Sequence, residues 1–418
     1  MFKLTPREES QLDTLLSKLV RTQSLSGHEG EVARLLVDEL AHVGVNDVRI
    51  DRIGNVVAHI GTGKGPTLLY NGHMDTVGVT DRLSWQHDPL DATIEDGVLY
   101  GIGASDMKAS LAAMVYAAKK LVESGAPQKG TLVLAFVVQE EPCEGAAMRV
   151  LVEEEGVRPD WVVLGEPTGL NICRGQRGRI EMRVTTRGRS SHAAHPDGGQ
   201  NAIYSAMRLI FGVELLSGNL ANDRFLGPGS ITITQIESSA PSRNAVPDQC
   251  TFYIDRRLTL GENEARALAE VQAVIMREGV PAAVEVTDYE GVSYTGYQFK
   301  TRGVFPAWAL PAEHPLIQVA TNSLRQTLGR RPEITRWAFS TDGVYTMGQA
   351  RIPTLGFGPG NPELAHAPDE SVRLAHVHLA AQAYAQLAVD LLAALAGGPP
   401  GTPATTHNGL GGRLLLFR

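Results

Sequence analysis

The sequence predicts an α/β protein with a mainly parallel central sheet and an inserted α+β domain, and three observations support this fold class. Short apolar runs rich in β-branched residues alternate with helical stretches, as expected for strands that are buried on both faces of a sheet. From about Gly178 the pattern changes to apolar–polar alternation, which is typical of strands with one face in water. Helical and buried-strand signals return after about Thr295, so the larger domain is expected to be discontinuous.

These changes of pattern divide the 418 residues into four predicted parts. Residues 1–177 and 296–396 form the larger domain, and residues 178–295 form the inserted domain. Residues 397–418 are rich in Gly, Pro and Thr, a composition that predicts a flexible C-terminal tail. A chain of this length suits two domains of about 100 to 200 residues each.

The elements of the larger domain follow from two kinds of spacing. Leu12, Leu15, Leu16 and Leu19 recur at helical intervals and predict the first helix. The same pattern predicts further helices at residues 31–40, 107–123, 315–328 and 377–395. Apolar runs bounded by Gly or Pro predict strands at residues 55–60, 67–70, 131–138, 161–164 and 353–357.

The inserted domain opens with the stretch 179–185, in which charged and apolar residues alternate. A helix at 201–216, strands at 230–236 and 249–258, and a helix at 262–278 are predicted to follow. This order of elements favours a small α+β layer set into the larger domain.

Composition and charge argue against several classes of protein. A formal net charge of -8 and a pI of about 5.9 provide no basic field that would attract nucleic acid or anionic lipid. The three cysteines, Cys143, Cys173 and Cys250, fit neither a disulfide framework nor a Cys-type zinc site, which favours the cytoplasm. The charged N-terminus and the lack of about 18 uninterrupted apolar residues predict neither a signal peptide nor a membrane span.

Acidic residues and histidines follow four of the predicted strands of the larger domain. His73 comes after the strand at 67–70, Glu140 and Glu141 after 131–138, Glu166 after 161–164, and His366 ends the Gly-rich loop after 353–357. The carboxyl ends of parallel strands meet at one edge of a sheet, where α/β proteins bind their ligands. We therefore expect these side chains to lie close together.

Asp106 is a further candidate because it precedes a predicted helix, although it could equally be the N-cap of that helix. A single His after a strand is more often a loop residue than a ligand, so the joint pattern carries the argument. Two histidines with several carboxylates and no cysteine suit zinc, manganese or cobalt better than iron–sulfur or calcium chemistry. The sequence therefore predicts a metal site at this edge of the sheet.

A resemblance to the family of acetylornithine deacetylase, succinyl-diaminopimelate desuccinylase and carboxypeptidase G covers almost the whole chain. It is carried by His73-Met74-Asp75-Thr76-Val77, Asp106-Met107-Lys108, Glu140-Glu141, Gly165-Glu166-Pro167-Thr168 and His366. Two further stretches, 174–179 and 190–196, are similar to a branch of hydrolases linked to selenium metabolism. The resemblance implies a zinc-peptidase-like larger domain and a ferredoxin-like inserted lid through which two subunits form a homodimer.

The resemblance also implies two divalent metal ions, zinc first and cobalt or manganese as alternatives. His73 and Glu166 would hold one ion, Glu141 and His366 the other, and Asp106 would bridge both. This assignment is physically reasonable because two cations a few Å apart repel unless anionic ligands offset their charge.

Three residues would act beside the metals. Asp75 would orient the imidazole of His73, although a turn-forming Asp is an alternative. Glu140 would act as general base, taking a proton from a water that bridges the metals and passing it to the leaving amine. The family places the residue matching His192 in the active site of the partner subunit, where it would stabilise the oxyanion; His195 is a competitor for this role.

Asn244, Arg257 and Gly343 match family positions that contact the substrate. The planar fork of an arginine can make two parallel hydrogen bonds to a carboxylate, which suits Arg257 to this task. Arg336 and Trp337 fit a pocket and a core equally well.

The implied activity is hydrolysis of the amide bond of an N-acyl amino acid by a cytoplasmic enzyme. An aminopeptidase or dipeptidase of the same family is an alternative, and an acidic side chain near the pocket would favour it because such an enzyme binds a free amino group. A third alternative is a binding protein that has lost its chemistry. The presence of every expected ligand and of Glu140 argues against it.

Overall fold

The computed structural model describes residues 2–79, 81–240 and 242–397. Apart from Gly397, the tail predicted at 397–418 lies outside these residues. The α-helices are α1 (Pro6–Arg21), α2 (Gly30–His42), α3 (Ala109–Ser124), α4 (Ala146–Arg149), α5 (Ala202–Leu216), α6 (Glu264–Glu278), α7 (Pro315–Leu328) and α8 (Leu374–Ala396).

The strands also follow chain order. They are β1 (Asp47–Ile50), β2 (Val56–Gly61), β3 (Thr67–His73), β4 (Thr93–Glu95), β5 (Val98–Tyr100), β6 (Thr131–Val137), β7 (Trp161–Leu164), β8 (Ile172–Gln176), β9 (Gly178–Arg187), β10 (Asn222–Asp223), β11 (Gly227–Pro228), β12 (Ser230–Ser239), β13 (Gln249–Leu258), β14 (Ala282–Val286), β15 (Asp288–Val292), β16 (Gln298–Arg302), β17 (Val304–Phe305), β18 (Trp308–Ala309), β19 (Ile334–Trp337), β20 (Thr354–Gly356) and β21 (Ser371–Arg373). All the helices and strands predicted from periodicity are present, within a few residues at their ends.

The central sheet has the strand order β1-β2-β6-β3-β7-β20-β8-β18, with β19 also paired to β8. Its four middle strands, β6, β3, β7 and β20, run parallel as expected. Antiparallel pairs join both flanks to them, β1–β2 and β2–β6 on one side and β20–β8 on the other. Strand β19 pairs with β8 in parallel. The short turn between β1 and β2 reverses the chain, which is compatible only with an antiparallel pair.

Residues on both sides of the inserted segment build this sheet. Strand β20 lies between β7 and β8, so a segment from late in the chain fills a gap between two early strands. Helix α3 packs against α8, and α8 packs against α7. Among the described helices only α8 has the length and apolar composition to cross a membrane, but half of its most apolar window is buried within the fold.

The inserted segment forms a second, fully antiparallel sheet in the order β12-β13-β9-β14, with β17 also paired to β9. Helices α5 and α6 cover one face, and a separate hydrophobic cluster that includes Val184, Phe252 and Val271 fills the space between. Alternate residues of β9 and β13 point to the other face. The limits at residues 178 and 295 stay a prediction, because the β15–β16 hairpin spans the second limit and packs Phe299 on the core of the larger domain.

Candidate metal centre

His73 ends β3, at the carboxyl edge of the parallel strands, and is buried. Its Nδ1 lies 2.8 Å from the main-chain oxygen of Asp75, and its Nε2 lies 3.0 Å from Asp106 Oδ1. The Asp75 carboxylate was expected to contact this imidazole, but its Oδ1 lies 3.7 Å from Nδ1, too far for a hydrogen bond. Asp75 therefore orients the imidazole through its carbonyl group, and its carboxylate has another task.

That task is to hold the segment after β6. Asp75 Oδ1 accepts a hydrogen bond from the Glu140 N–H at 3.1 Å, and Oδ2 accepts from the Glu141 N–H at 3.2 Å. The Ser26 hydroxyl donates to Oδ2 at 2.7 Å. One buried carboxylate thus fixes the main chain of both glutamates, whose side chains then leave in different directions.

Asp106 lies in the segment between β5 and α3, where its backbone is not helical (φ -123°, ψ 92°). It does not cap α3, because Lys108 occupies the N-cap position. Glu370 holds this segment in place: its carboxylate accepts hydrogen bonds from the N–H groups of Gly103 at 3.1 Å, Ser105 at 2.8 Å and Asp106 at 2.8 Å. The fold therefore presents the Asp106 carboxylate away from the helix and toward the strand ends.

Two groups of potential ligands share Asp106. His73, Asp106 and Glu166 form one group, and Asp106, Glu141 and His366 form the other; within each group the ligand atoms lie within 4.8 Å of one another. His366 Nε2 is 3.0 Å from Glu141 Oε1 and 3.6 Å from Asp106 Oδ2. The structure thus brings together all five residues that the sequence nominated as metal ligands.

The electrostatics of this cluster fit divalent cations. Burial, and after it the charge of Asp106, raises the pKa of Glu166 well above its ordinary value. Burial also lowers the pKa of His73, but its hydrogen bond to Asp106 and the charge of Glu166 outweigh burial and raise that pKa strongly. The hydrogen bond to Glu141 raises the pKa of His366 to about 9. Crowded acidic groups of this kind are stabilised by positive charge at their centre, so the donor set suits two metal ions.

Glu140 differs from its neighbour Glu141 because it is not paired. Its Oε1 is buried and has no hydrogen-bond partner among the described residues. Burial, followed by the charge of Glu166, raises the pKa of Glu140 well above its ordinary value. A buried carboxyl group with a free oxygen and a raised pKa has the properties of a general base.

A cavity of about 360 Å³ opens over these side chains. The five potential metal ligands and Glu140 line it, together with Glu144, Arg179, Arg257, Phe339 and Ser340. Small-molecule sites have this size and this combination of a few convergent polar groups in a cleft. The cavity therefore suits a small substrate.

Two arginines reach the cavity from neighbouring strands of the inserted domain. Arg179 and Arg257 are directly opposite each other in the β9–β13 ladder, a position where like charges repel. Each has its own acidic partner: Arg257 pairs with Asp255 at 2.7 Å, and Arg179 pairs with Glu144 at 2.7 Å. Arg257 was expected here, whereas Arg179 and Glu144 were not.

His192 and Asn244 lie elsewhere on the inserted domain. The described residues that line the cavity include neither of them, and both are exposed. The two segments that carry them are joined by a hydrogen bond from the Ala193 N–H to the Asn244 main-chain oxygen at 2.7 Å. The expected role of His192 in a partner's active site and the expected substrate contact of Asn244 stay predictions.

Gly343 also does not line the cavity. It is buried against Trp308, and a Cβ at this position would approach the indole ring to 2.5 Å. The structure thus gives Gly343 a packing role, and its contact with substrate stays a prediction. Trp337 belongs to the core and donates a hydrogen bond to the Pro167 main-chain oxygen at 2.8 Å, while Arg336 is exposed.

Several buried acids that support the site were missed by sequence reasoning. Glu370 follows His366 by four residues, so its position in the same loop could have drawn attention to it. Asp342 accepts hydrogen bonds from Asn71 Nδ2 and the Gly145 N–H, both at 2.7 Å. No local pattern reveals such contacts, because they join residues about 200 or more positions apart.

Comparisons with known proteins agree with this geometry. The model of the family described as "Peptidase family M20/M25/M40" matches residues 69–390. The chain is 37% identical over 386 residues to "Uncharacterized protein YgeY" of Escherichia coli (strain K12), covering 92% of this chain and 95% of that protein. It is 28% identical over 389 residues to succinyl-diaminopimelate desuccinylase of Marinobacter nauticus, covering 91% and 98% of the two chains.

Solved structures show the same fold at low sequence identity. The M20 family metallo-carboxypeptidase Sso-CP2 of Sulfolobus solfataricus has a TM-score of 0.73 at 16% identity, covering 93% of this chain and all of that one. Human carnosine dipeptidase 1 has a TM-score of 0.70 at 17% identity, covering 93% and 97% of the two chains. These likenesses extend over both the central sheet and the inserted segment.

Proposed function

Since the chain belongs to peptidase family M20/M25/M40, a family of metallohydrolases that cleave peptide or amide bonds, we propose that its substrate is an N-acyl amino acid. The observation that carries this proposal is Arg257, which reaches the metal-ligand cavity from the inserted domain. Its hydrogen bonds to Asp255 use Nε and Nη2, which leaves Nη1 for the carboxylate of an amino acid.

Two divalent metal ions complete this site in the proposal. His73 and Glu166 hold one ion, Glu141 and His366 hold the other, and Asp106 is common to both groups. Zinc is the metal we expect, with cobalt and manganese as alternatives. When bound, the ions supply positive charge that polarises the scissile carbonyl and lowers the pKa of water.

Glu140 performs the proton transfers. Its free Oε1 takes a proton from the attacking water as oxygen bonds to the carbonyl carbon. The same carboxyl group then gives this proton to the amide nitrogen as the C–N bond breaks. The second proton of the water stays on the acyl product, so the products are the carboxylic acid of the acyl group, which ionises to its carboxylate in neutral water, and the free amino acid.

A homodimer supplies the remaining group in the proposal. Helix α5 exposes Tyr204, Met207, Phe211 and Leu215 along one face, and spacing of three or four residues makes them a continuous stripe. The adjacent strand β12 is an edge of its sheet, and unpaired edges are sites of strand pairing. A second copy that covers this face can bring His192 to the partner's cavity, where it stabilises the oxyanion.

A second candidate function is that of an aminopeptidase or dipeptidase. Glu144 is the observation that favours it, because a carboxylate on the cavity wall could bind a substrate ammonium group. However, Glu144 Oε1 accepts from the Ser340 hydroxyl at 2.5 Å and Oε2 accepts from Arg179 at 2.7 Å. Both oxygens are occupied within the chain, so we prefer the N-acyl substrate.

The state of the cysteines supports a cytoplasmic enzyme. Cys143, Cys173 and Cys250 are all free and buried, and free thiols persist in a reducing compartment.

A hydrolysis screen tests the proposal. Purified protein is incubated with N-acetyl, N-succinyl and N-carbamoyl amino acids and with dipeptides, each with added zinc, manganese or cobalt. Turnover of N-acyl amino acids above that of dipeptides would support the proposal. Faster cleavage of dipeptides, together with inhibition by N-terminal acetylation, would support the second candidate instead.

A further inference from the structure

The hairpin of β15 and β16 lies between β14 and β17 of the inserted sheet and is anchored to the larger domain. Its strands pair from Asp288 with Arg302 to Val292 with Gln298. Three tyrosines fix it: Tyr289 Oη donates to Gln139 Oε1 at 3.0 Å, Tyr294 Oη donates to the Gly54 main-chain oxygen at 2.9 Å, and Tyr297 Oη donates to the Glu154 carboxylate at 2.9 Å. Of these bonds, that of Tyr289 reaches the segment that carries Glu140.

Gln139, the residue before Glu140, is held on three sides. Its N–H donates to Glu29 Oε1 at 3.0 Å, and its Nε2 donates to the Val292 main-chain oxygen at 2.9 Å. Its Oε1 accepts the hydrogen bond from Tyr289. The residue is buried and has a φ of 51°, an uncommon conformation for a residue other than glycine.

The backbone of the hairpin packs directly on the Gln139 amide. A Cβ on Gly291 would lie 2.9 Å from Gln139 Oε1, and a Cβ on Gly27 would lie 3.7 Å from Nε2. Glycine at position 291 lets the hairpin main chain approach the amide closely, whereas the distance at position 27 is an ordinary contact. The side chain therefore has one well-defined position.

The direction of the Glu140 carboxylate depends on this main chain. Oε1 of Glu140 has no hydrogen-bond partner among the described residues, while the Glu140 N–H donates to Asp75 Oδ1 at 3.1 Å. A side chain without a bond at that oxygen is aimed chiefly by its backbone. The bonds that fix residue 139 therefore also decide where the carboxylate of residue 140 points.

We propose that Gln139 and Tyr289 are positioning residues that aim the Glu140 carboxylate by tying its main chain to the β15–β16 hairpin. This inference rests on the proposed role of Glu140 as general base. It makes the hairpin part of the catalytic apparatus, although none of its residues lines the cavity. Misplacement of a reacting group by about 1 Å can lower the rate by about 100-fold. Removal of the hydrogen bond between Tyr289 and Gln139 should therefore lower kcat.

Three variants test the proposal. Tyr289→Phe removes only the hydroxyl that binds Gln139. Gln139→Gly removes the side chain, while glycine adopts the positive φ of this position without strain. A loss of rate in this variant therefore reports the missing side-chain contacts and not a strained backbone. Tyr297→Phe is the matched control, because it removes a hydroxyl of the same hairpin that bonds to Glu154.

The measurements are kcat and KM for the substrate that wild type cleaves fastest in the screen, metal content and melting temperature. We expect Tyr289→Phe and Gln139→Gly to lower kcat by about tenfold or more, with KM and metal content near the wild-type values. Tyr297→Phe should keep the wild-type kcat. Unchanged kcat in both test variants, or an equal loss in Tyr297→Phe, would overturn the proposal.

Two further arms separate this inference from the proposed function. Glu140→Gln is assayed in parallel: if it stays active, the assignment of the general base has failed. If it is inactive while Tyr289→Phe and Gln139→Gly match wild type, only the positioning role has failed. Crystal structures of wild type and Gln139→Gly provide a test that needs no substrate. If the Glu140 carboxylate has the same position in both structures, the proposal is contradicted.

Discussion

The main-chain N–H of Asp106 donates a hydrogen bond to the buried Glu370 carboxylate at 2.8 Å. This bond ties the residue shared by the two ligand groups to the loop that carries His366. Burial, followed by the charge of Asp106, raises the pKa of Glu370 to about 8. The carboxyl group nevertheless accepts three N–H hydrogen bonds, two at Oε1 and one at Oε2.

Glu370→Gln should therefore weaken metal binding without removing any ligand. The amide offers one acceptor oxygen where the carboxylate offers two, so at least one buried N–H loses its partner. We expect metal affinity to fall by about 10- to 100-fold and the free energy of unfolding to fall by about 1–3 kcal/mol. Competition with a chelator measures the affinity. Glu363→Gln, an exposed change in the same loop, is the control and should bind metal like wild type.

Glu140→Ala should keep both metals and lose nearly all turnover, because Glu140 belongs to neither ligand group. Loss of a general base lowers kcat by about 10²- to 10⁴-fold. Metal analysis beside a steady-state assay checks both halves of the prediction. Glu141→Ala provides the contrast, since it should lose metal as well as rate. Robust turnover by Glu140→Ala would show that another group takes the proton.

His192→Ala should lose rate but not metal, and its position predicts complementation between subunits. A mixed dimer of His192→Ala and Glu140→Ala contains one cavity with an intact Glu140 and an intact His192 from the partner. After exchange of subunits, random pairing should restore about a quarter of wild-type activity. If mixing restores nothing, His192 acts within its own subunit or not at all.

The apolar stripe on α5 (Tyr204, Met207, Phe211 and Leu215) should hold the proposed homodimer together. Leu215→Glu and Phe211→Glu place charges on an exposed apolar face, so we expect monomers by sedimentation at concentrations where wild type is dimeric. Leu83→Glu, which alters an exposed leucine of the larger domain, should stay dimeric. A dimer that survives both α5 substitutions would place the interface elsewhere.

Glu8 should make stability depend on acid. Burial raises the pKa of Glu8, but hydrogen bonds from Thr5, Lys120 and Lys119 outweigh burial and hold that pKa at about 2, below the ordinary value of 4.5. A depressed pKa contributes stability that is fully present above pH 4.5 and is lost as pH falls toward 2.

Glu8→Gln should therefore lower the free energy of unfolding at pH 7 by about 1 kcal/mol, a modest value because the lysines remain partly hydrated. Urea denaturation at pH 7 and at pH 2 to 3 measures the difference. The difference in the free energy of unfolding between wild type and Glu8→Gln should be much smaller at the lower pH than at pH 7.

The central strands and the clustering of the potential metal ligands could be predicted because their signals are local. Each of β3, β6, β7 and β20 is a short apolar run that leads directly, or through one loop, into an ionisable residue. Parallel pairing then brings these strand ends to one edge without any further information. The joint placement of His73, Glu141 and Glu166 at this edge follows from the sequence, whereas their assignment as metal ligands came from the family resemblance.

The supporting contacts could not be predicted because they join distant segments. Glu144 and Arg179 meet only when the inserted sheet lies over the larger domain. The alternation at 179–185 places Arg179 on a strand but does not reveal its partner. The β15–β16 hairpin was not predicted because its tyrosines, Tyr289, Tyr294 and Tyr297, are not spaced at the regular interval of a strand or a helix. Gly343 was expected at the substrate because of its motif, whereas its packing against Trp308 depends on a tertiary contact.

The place of β20 between β7 and β8 has a consequence for biosynthesis. A ribosome releases residues 161–176 long before residues 354–356, so the nascent chain carries a sheet with a missing central strand. The same late segment delivers His366 and Glu370, so the second ligand group assembles only after the sheet can close. Translation products that stop before β20 lack a strand of the central sheet and the second ligand group. They expose apolar strand edges that quality-control proteases and chaperones recognise.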